Sequence, residues 1–311
     1  NVIKPDARTA WTFLTDEEQS ARRLRTNFSW IDAVHGFHNQ LVTGDPALHF
    51  LEHFRRRHLP PDSRPVAASF GCGEGHLERA LLGLGWRFEA LTGMELNPAL
   101  VEHAQAKVAA LEGGDRVRYQ VADLNHLSLE PASLDLGMFF HSLHHVEGLE
   151  ACLAEVSLAL RHGGALLVID YFGGNRLQRG MAHLSICDLY LRRIPEPYRV
   201  DLTRSSRNEV VLKERCTNTP VDQVIASDPS EAIRSEELAM ALRSTPGLVV
   251  VEERPLGGTL LDPLFDRIAG NFVQSDPVAQ ACVQMAMAGE ESLIASLALE
   301  PDYRYVVLRR H

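Results

Sequence analysis

The sequence has no CxxC pair and only five cysteines in 311 residues: Cys72, Cys152, Cys187, Cys216 and Cys282. Scattered and odd in number, they offer neither a zinc-ligand spacing nor a disulfide framework, and they read as reduced thiols of a cytoplasmic protein. No apolar run approaches the ~18 residues that a membrane span needs. The start, Asn1–Arg8, lacks an apolar signal-like stretch. Positive charge is also short, with 31 Lys plus Arg against 41 Asp plus Glu and a formal charge of −10. Without a Lys/Arg-rich block, neither nucleic acid nor a membrane surface is expected as a partner. No internal repeat and no low-complexity tract appears. What the chain does have is material for a core. Apolar residues make up 45% and charged residues 23%, as in a folded domain, and this excludes wholesale disorder.

The pattern along the chain divides it into four parts. Residues 1–62 read as a helical extension or lid, with a capping signal at Thr15-Asp16-Glu17-Glu18 and a second helix over Ala47–His58. Residues 63–172 change character. Short apolar runs at Val66–Phe70, Arg87–Met94, Val117–Ala122, Leu134–Phe140 and Ala165–Tyr171 alternate with helical stretches at Gly75–Leu84, Pro98–Leu111 and Leu149–Leu160. That alternation predicts βαβ units and a parallel sheet. Residues 173–246 read as a strand-free helical cap, with helices at Leu177–Arg193 and Ser230–Arg243, the latter opened by Asp228-Pro229. Residues 247–311 return to the sheet, with strands at Leu248–Arg254 and Tyr303–Arg309 around helices at Asp262–Phe272 and Pro277–Ala298. The expected fold class is α/β: a Rossmann-like, doubly wound, seven-stranded sheet that is mostly parallel, with the last strand antiparallel.

Three features fall at the carboxyl ends of the first three strands. Phe70-Gly71-Cys72-Gly73-Glu74-Gly75 follows the first strand and opens a helix, so its glycines let a ligand approach the backbone closely. His76 stands where a dinucleotide fingerprint wants its third glycine. Glu95 ends the second strand, where a carboxylate can accept both hydroxyls of a ribose, and Asp123 ends the third, suited to an exocyclic amine. Ligand sites in open α/β sheets converge on such a crevice.

With His141-Ser142-Leu143-His144-His145-Val146 after the fourth strand and Leu160-Arg161-His162-Gly163-Gly164 before the fifth, these motifs resemble class I S-adenosylmethionine-dependent methyltransferases, the broad small-molecule group. The resemblance covers Val66 to Tyr171, about a third of the chain. It implies that Gly71, Cys72, Gly73 and Gly75 border the methionine end of S-adenosyl-L-methionine. It also implies that Glu95 holds the ribose, Leu96 lines the adenine, Asp123 and the adjoining Leu124 meet the adenine side, and His141 meets the amino-acid end. Ser69 stands where the family commonly has an acid, so this cofactor-side position brings no charge. His162 replaces the usual proline of the turn before the fifth strand.

Methyl transfer needs a base only where the acceptor loses a proton. His144, His145 and Tyr171 are the catalytic candidates, with Asp170 beside them; His144 reads equally as a packing residue, and for His145 packing is the favoured reading. No metal is expected, because no carboxylate falls at a helical offset from His141, His144 and His145. Substrate candidates are Trp30 and Phe37 from the lid and Asn175, Arg176, Tyr198 and Arg234 from the cap, a mixture suited to an anionic or aromatic acceptor. The expected function is methyl transfer to an O, N or C atom of a small molecule, in secondary metabolism, by a monomer or homodimer. The competing readings are an NAD(P)-dependent oxidoreductase and a cofactor-binding protein without turnover.

Overall fold

In the computed structural model the described residues are 26–206, 208–272 and 276–311. The capping signal at Thr15–Glu18 lies outside them. Seven strands form one sheet: β1 (Val66–Phe70), β2 (Ala90–Glu95), β3 (Val117–Val121), β4 (Leu134–Phe140), β5 (Leu160–Tyr171), β6 (Leu248–Gly257) and β7 (Tyr303–Arg310). Their spatial order is β3-β2-β1-β4-β5-β7-β6. The first five run parallel, and β7 lies antiparallel between β5 and β6. The expected sheet is therefore present. The last strand in the chain is inserted next to β5, which separates this order from the 3-2-1-4-5-6 of dinucleotide-binding folds.

The helices are α1 (Asp32–Thr43), α2 (Phe50–His58), α3 (His76–Gly83), α4 (Pro98–Val108), α5 (Leu149–Ala159), α6 (Met181–Leu191), α7 (Val221–Ser227), α8 (Leu238–Ser244), α9 (Leu261–Phe265) and α10 (Pro277–Ala295). Their starts follow local chemistry. Asn97 and Asp276 accept backbone N–H groups of α4 and α10, and each is followed by a proline that has no N–H to satisfy.

Both faces of the sheet are covered. Along β5, Leu166 and Val168 join one core with Phe70, Phe139 and the α5 residues Leu149, Leu153 and Val156. Ala165, Leu167 and Ile169 alternate to the other face, with Phe54 of α2, Leu81 of α3 and Trp86. An apolar run buried on both sides is what a central strand needs, and it explains why β5 reads as continuous rather than alternating. A third apolar cluster joins Phe28, Val34 and Phe37 of the N-terminal segment to Leu191 of α6, Leu264 and Phe265 of α9 and Val283 and Ala286 of α10. The segment from Phe28 to Phe37, the cap helix α6 and the helices after β6 thus pack together as one cluster, while α2 covers a face of the sheet.

The cap differs from its expected form in two places. Helix α7 was not legible. The helix expected over Ser230–Arg243 begins only at a short 3-10 turn, Ser235–Glu237, followed by α8. Ala232, at φ 45°, breaks the helical path between Asp228 and that turn. The Ala232 carbonyl accepts the Arg176 N–H at 2.7 Å, and the Ile233 N–H goes to the His144 carbonyl at 3.1 Å. The helix is given up so that this segment can dock on the β4–α5 turn. Among the described residues of the cap the extended pairing is a single bridge between Val200 and Leu212. Among the described residues no helix is long and apolar enough to cross a membrane.

Phe139 is fully buried and stacks on Phe70 with ring centroids 4.9 Å apart. Phe139→Ala is expected to cost about 3–5 kcal/mol of unfolding free energy by urea titration, because it empties the centre of the sheet core.

Candidate active site

The glycine turn after β1 is shaped for a ligand. Gly71, Gly73 and Gly75 have φ of 70°, 53° and 74°, the left-handed region that costs other residues strain. A Cβ on Gly71 would lie 2.6 Å from the Ser142 Cβ, whereas one on Gly73 would meet nothing within 4 Å. The turn therefore packs tightly on one side and opens to space on the other. Glu95, at the end of β2, borders this opening. Its Oε2 accepts the Gly73 N–H at 3.0 Å and its Oε1 accepts the Asn97 N–H at 3.0 Å. Both bonds fix the carboxylate while the side chain stays half-exposed, as a ribose-binding group requires. Beyond it Leu96 and Leu124 are half-buried, and Val121, absent from the sequence reading, is 55% exposed at the end of β3. An apolar side chain left open beside two others offers a face for a purine ring. On the far side, His38 is buried and its Nε2 has no hydrogen-bond partner among the described residues. These features fit S-adenosylmethionine.

Two of the expected cofactor residues have other partners. Asp123 accepts the Asn125 N–H at 2.9 Å and pairs with His126 at 3.0 Å, so it closes the turn after β3. Ser69 is buried and donates to Glu78 of α3. Burial raises the pKa of Glu78, and the Ser69 hydroxyl opposes that rise. A carboxyl group thus sits beneath the turn although the strand position lacks one, reached from the helix rather than from the strand.

The catalytic candidates gather at the ends of β4 and β5. Asp170 is fully buried, and its Oδ2 accepts the N–H groups of Ser142 at 3.0 Å and Leu143 at 2.7 Å. Its Oδ1 accepts the Tyr171 N–H at 2.8 Å and pairs with Nδ1 of His144. Nε2 of His144 faces Oε1 of Glu231 at 3.3 Å. His145 Nδ1 lies 3.1 Å from the Ser230 hydroxyl and 3.6 Å from Asp228. One ligand atom each from His144, His145 and Glu231 fall within 4.8 Å of one another, close enough to hold a cation. The sequence reading lacked a carboxylate for these histidines; the fold supplies one from the cap.

Burial disfavours a charged His144, but the carboxylates on both ring nitrogens outweigh it and raise its pKa from 6.5 to about 10. Burial works against ionised Asp170 and Glu231 as well, yet the His144 ring beside each holds both pKa values down. Burial and then the charge of His144 lower the pKa of His145, and burial holds His141 at about 4. His141 is exposed and Tyr303 half-buried, side by side at the carboxyl end of the sheet. Aromatic rings form a wall beside them. Tyr303 lies 5.6 Å from His141, 5.4 Å from Tyr171 and 5.9 Å from Phe28, and Tyr171 lies 6.4 Å from His144. Phe28 and Tyr303 went unnoticed in the sequence because single aromatics carry no spacing signal.

The expected substrate residues divide by position. Trp30 is 37% exposed near the lid, and Phe37 is core. Asn175 is tied to Glu236, and Arg176 donates to the carbonyls of Pro229 and Glu231. Arg234 is held by Glu150 and Glu237. Tyr198 bonds Asp276 and packs against Phe272. Arg176 ties the cap to itself, and Arg234 fastens it to the start of α5.

Residues 68–168 match the protein family described as a methyltransferase domain. A 27-O-demethylrifamycin SV methyltransferase of Amycolatopsis mediterranei (strain S699) is 28% identical over 113 residues, covering 36% of this chain. The chain spans 41% of the length of that relative. Among solved structures, an S-adenosylmethionine-dependent methyltransferase from Mesorhizobium loti aligns with TM-score 0.46 and 18% identity over 83% of this chain and 97% of that one. Geranyl diphosphate C-methyltransferase from Streptomyces coelicolor A3(2) aligns with TM-score 0.48 and 15% identity over 83% and 77%.

A histidine whose folded pKa is raised adds stability that is complete below its unfolded value and is lost as pH rises through the folded value. The stability difference between the wild type and His144→Asn is therefore expected to be constant below pH 6.5 and to shrink towards pH 10, read by urea unfolding across that range. A difference that does not change with pH would remove the charged contacts of His144 from the fold.

Proposed function

We propose that this chain, whose residues 68–168 form a methyltransferase domain of the class I S-adenosylmethionine-dependent kind, moves a methyl group to a protic atom of a small molecule. The observation that carries the reading is the shared crevice. The open side of the glycine turn, the fixed carboxylate of Glu95 and the His144–Asp170 pair all lie at the carboxyl ends of adjacent strands β2, β1, β4 and β5. The cofactor supplies the electrophilic methyl carbon, so the protein has to bind, align and exclude water.

Each residue has a separate task. Glu95 accepts the ribose hydroxyls, Leu96, Val121 and Leu124 flank the adenine, and the Gly71–Gly75 turn borders the amino-acid end with His141. Asp170 holds Nδ1–H of His144 and fixes the ring; with its pKa raised to about 10, the ring takes the acceptor's proton at Nε2 only in its neutral form, so turnover is expected to rise with pH. His145 is a positioning residue, tied to Ser230 of the cap. Tyr171 closes the wall, its hydroxyl spent on the Gly174 carbonyl at 3.3 Å. The cluster of lid and cap favours an acceptor small enough to be enclosed, which supports a secondary metabolite over a macromolecule. A cytoplasmic monomer or homodimer is consistent with the free cysteines.

Calorimetric titration separates the cofactor classes. S-adenosylmethionine and S-adenosylhomocysteine are expected to bind and NAD(P)H not to; the reverse pattern would overturn the reading. Glu95→Ala is expected to weaken S-adenosylhomocysteine binding by about 1–3 kcal/mol, since hydrogen bonds to a charged group are lost. His144→Ala is expected to lower kcat at least tenfold while the same titration shows unchanged cofactor affinity. Parallel losses of folding and activity would instead make His144 structural.

A further inference from the structure

We propose that His144, His145 and Glu231 form a binding site for a divalent transition metal of the Zn2+ class, and that an ion held there occupies the nitrogen that the acceptor's proton needs. The site stands on its own geometry; its effect on turnover rests on the methyltransferase reading.

The three side chains have the donor set and the spacing of a metal centre. One ligand atom from each lies within 4.8 Å of the others. Two imidazoles and one carboxylate suit Zn2+ and its neighbours in the transition series, whereas Mg2+ and Ca2+ favour oxygen donors. His144 Nε2 and Glu231 Oε1 stand 3.3 Å apart. That is longer than the ~2.8 Å of a charge-assisted hydrogen bond. It is close to the roughly 3.4 Å between two ligands of a tetrahedral zinc ion. The two imidazole rings are neighbours, with centroids 4.2 Å apart. The side chains of His145 and Glu231 are each 22% exposed, which gives an ion a way in.

The surroundings hold these ligands as a metal requires. Asp170 pairs with Nδ1 of His144 and is itself fixed by the N–H groups of Ser142, Leu143 and Tyr171. A carboxylate behind a ligand histidine sets its tautomer and aims its other nitrogen at the metal. The Ser230 hydroxyl donates to Asp228 at 2.6 Å and lies 3.1 Å from Nδ1 of His145, so the cap holds this ring too. Glu231 is placed by its backbone. Arg176 donates to the Pro229 and Glu231 carbonyls at 2.7 and 3.0 Å, and the Ile233 N–H goes to the His144 carbonyl at 3.1 Å. Between these anchors Ala232 is held at φ 45°, a strained conformation that persists only where its surroundings impose it.

Charge favours an ion here. Three carboxylates, Asp170 from β5 and Glu231 and Asp228 from the cap, face the two rings. The cap arginines serve other groups, Arg176 the carbonyls and Arg234 Glu150 and Glu237. A divalent ion takes the place of the one proton between Nε2 and Glu231, and that proton passes to solvent. With Nδ1 committed to Asp170 and Nε2 on the ion, His144 has no nitrogen left for the acceptor's proton. The loaded chain therefore lacks its base.

The test uses the full chain, freed of metal with EDTA, then titrated with Zn2+ by calorimetry and with Co2+ by visible absorption. The wild type is expected to bind one equivalent of Zn2+, to give the intense bands of tetrahedral Co2+ and to leave Mg2+ unbound. Glu231→Gln and His145→Asn are each expected to weaken Zn2+ binding at least tenfold. His162→Asn, on an exposed turn, is expected to leave it unchanged. Zn2+ bound equally by the wild type and both site variants would be an adventitious ion only and would overturn the proposal. The weak bands of octahedral oxygen coordination from wild-type Co2+ would overturn it without recourse to any variant. Spin-active Cd2+ in place of Zn2+ is expected to split the Nε2 signal of His144 in nitrogen NMR; an unsplit signal would overturn the competition with the base. Zn2+ binding that persists in a chain to which S-adenosylhomocysteine does not bind would remove the methyltransferase reading and leave the metal site standing.

Discussion

Asp170 is the group on which the site depends. It lies at the end of the most deeply buried strand, and three backbone N–H groups and one imidazole converge on its two oxygens. A buried carboxylate is stable only when so completely paired. Pairing it fixes the turn after β4, and that turn carries Ser142, which packs against Gly71, together with His141, His144 and His145. The glycine turn after β1 and the histidine turn after β4 are thus referred to one buried charge. Because the charge belongs to the sheet, His144 is held by the buried centre of the molecule.

The cap completes this arrangement by giving up regular structure. Residues 228–234 begin with a favourable helix start, yet they turn instead, because docking on the His144 carbonyl satisfies their backbone and places Glu231 on the ring. The arginines that fasten the segment pair with acids and carbonyls of the cap and the start of α5 and do not point an unbalanced positive charge at the crevice. Among the described residues, the basic, aromatic composition of the cap therefore gives a site in which His144 stands between two carboxylates beside aromatic rings.

The sheet was legible because its signals are local. Apolar runs of strand length, glycine and proline punctuation and short connections give β1–β5 and the last strand directly, and the glycine turn with Glu95 marks the edge where the cofactor is expected. The parts that were not legible depend on distant pairing. Glu231 meets His144 across 87 positions of chain, Glu78 stands under Ser69 from the helix side, and Tyr303 reaches the crevice from the strand inserted beside β5. The helix expected over Ser230–Arg243 failed for the same reason, since local capping chemistry lost to a tertiary contact.

The most direct measurement is a crystal structure of the full chain with S-adenosylhomocysteine bound. The expected map shows the ribose on Glu95, the adenine against Leu96, Val121 and Leu124, and the sulfur directed into the space between His141, Tyr171 and His144. A nucleoside bound elsewhere, or a sulfur directed away from His144, would contradict the single shared crevice from which the proposed chemistry is derived.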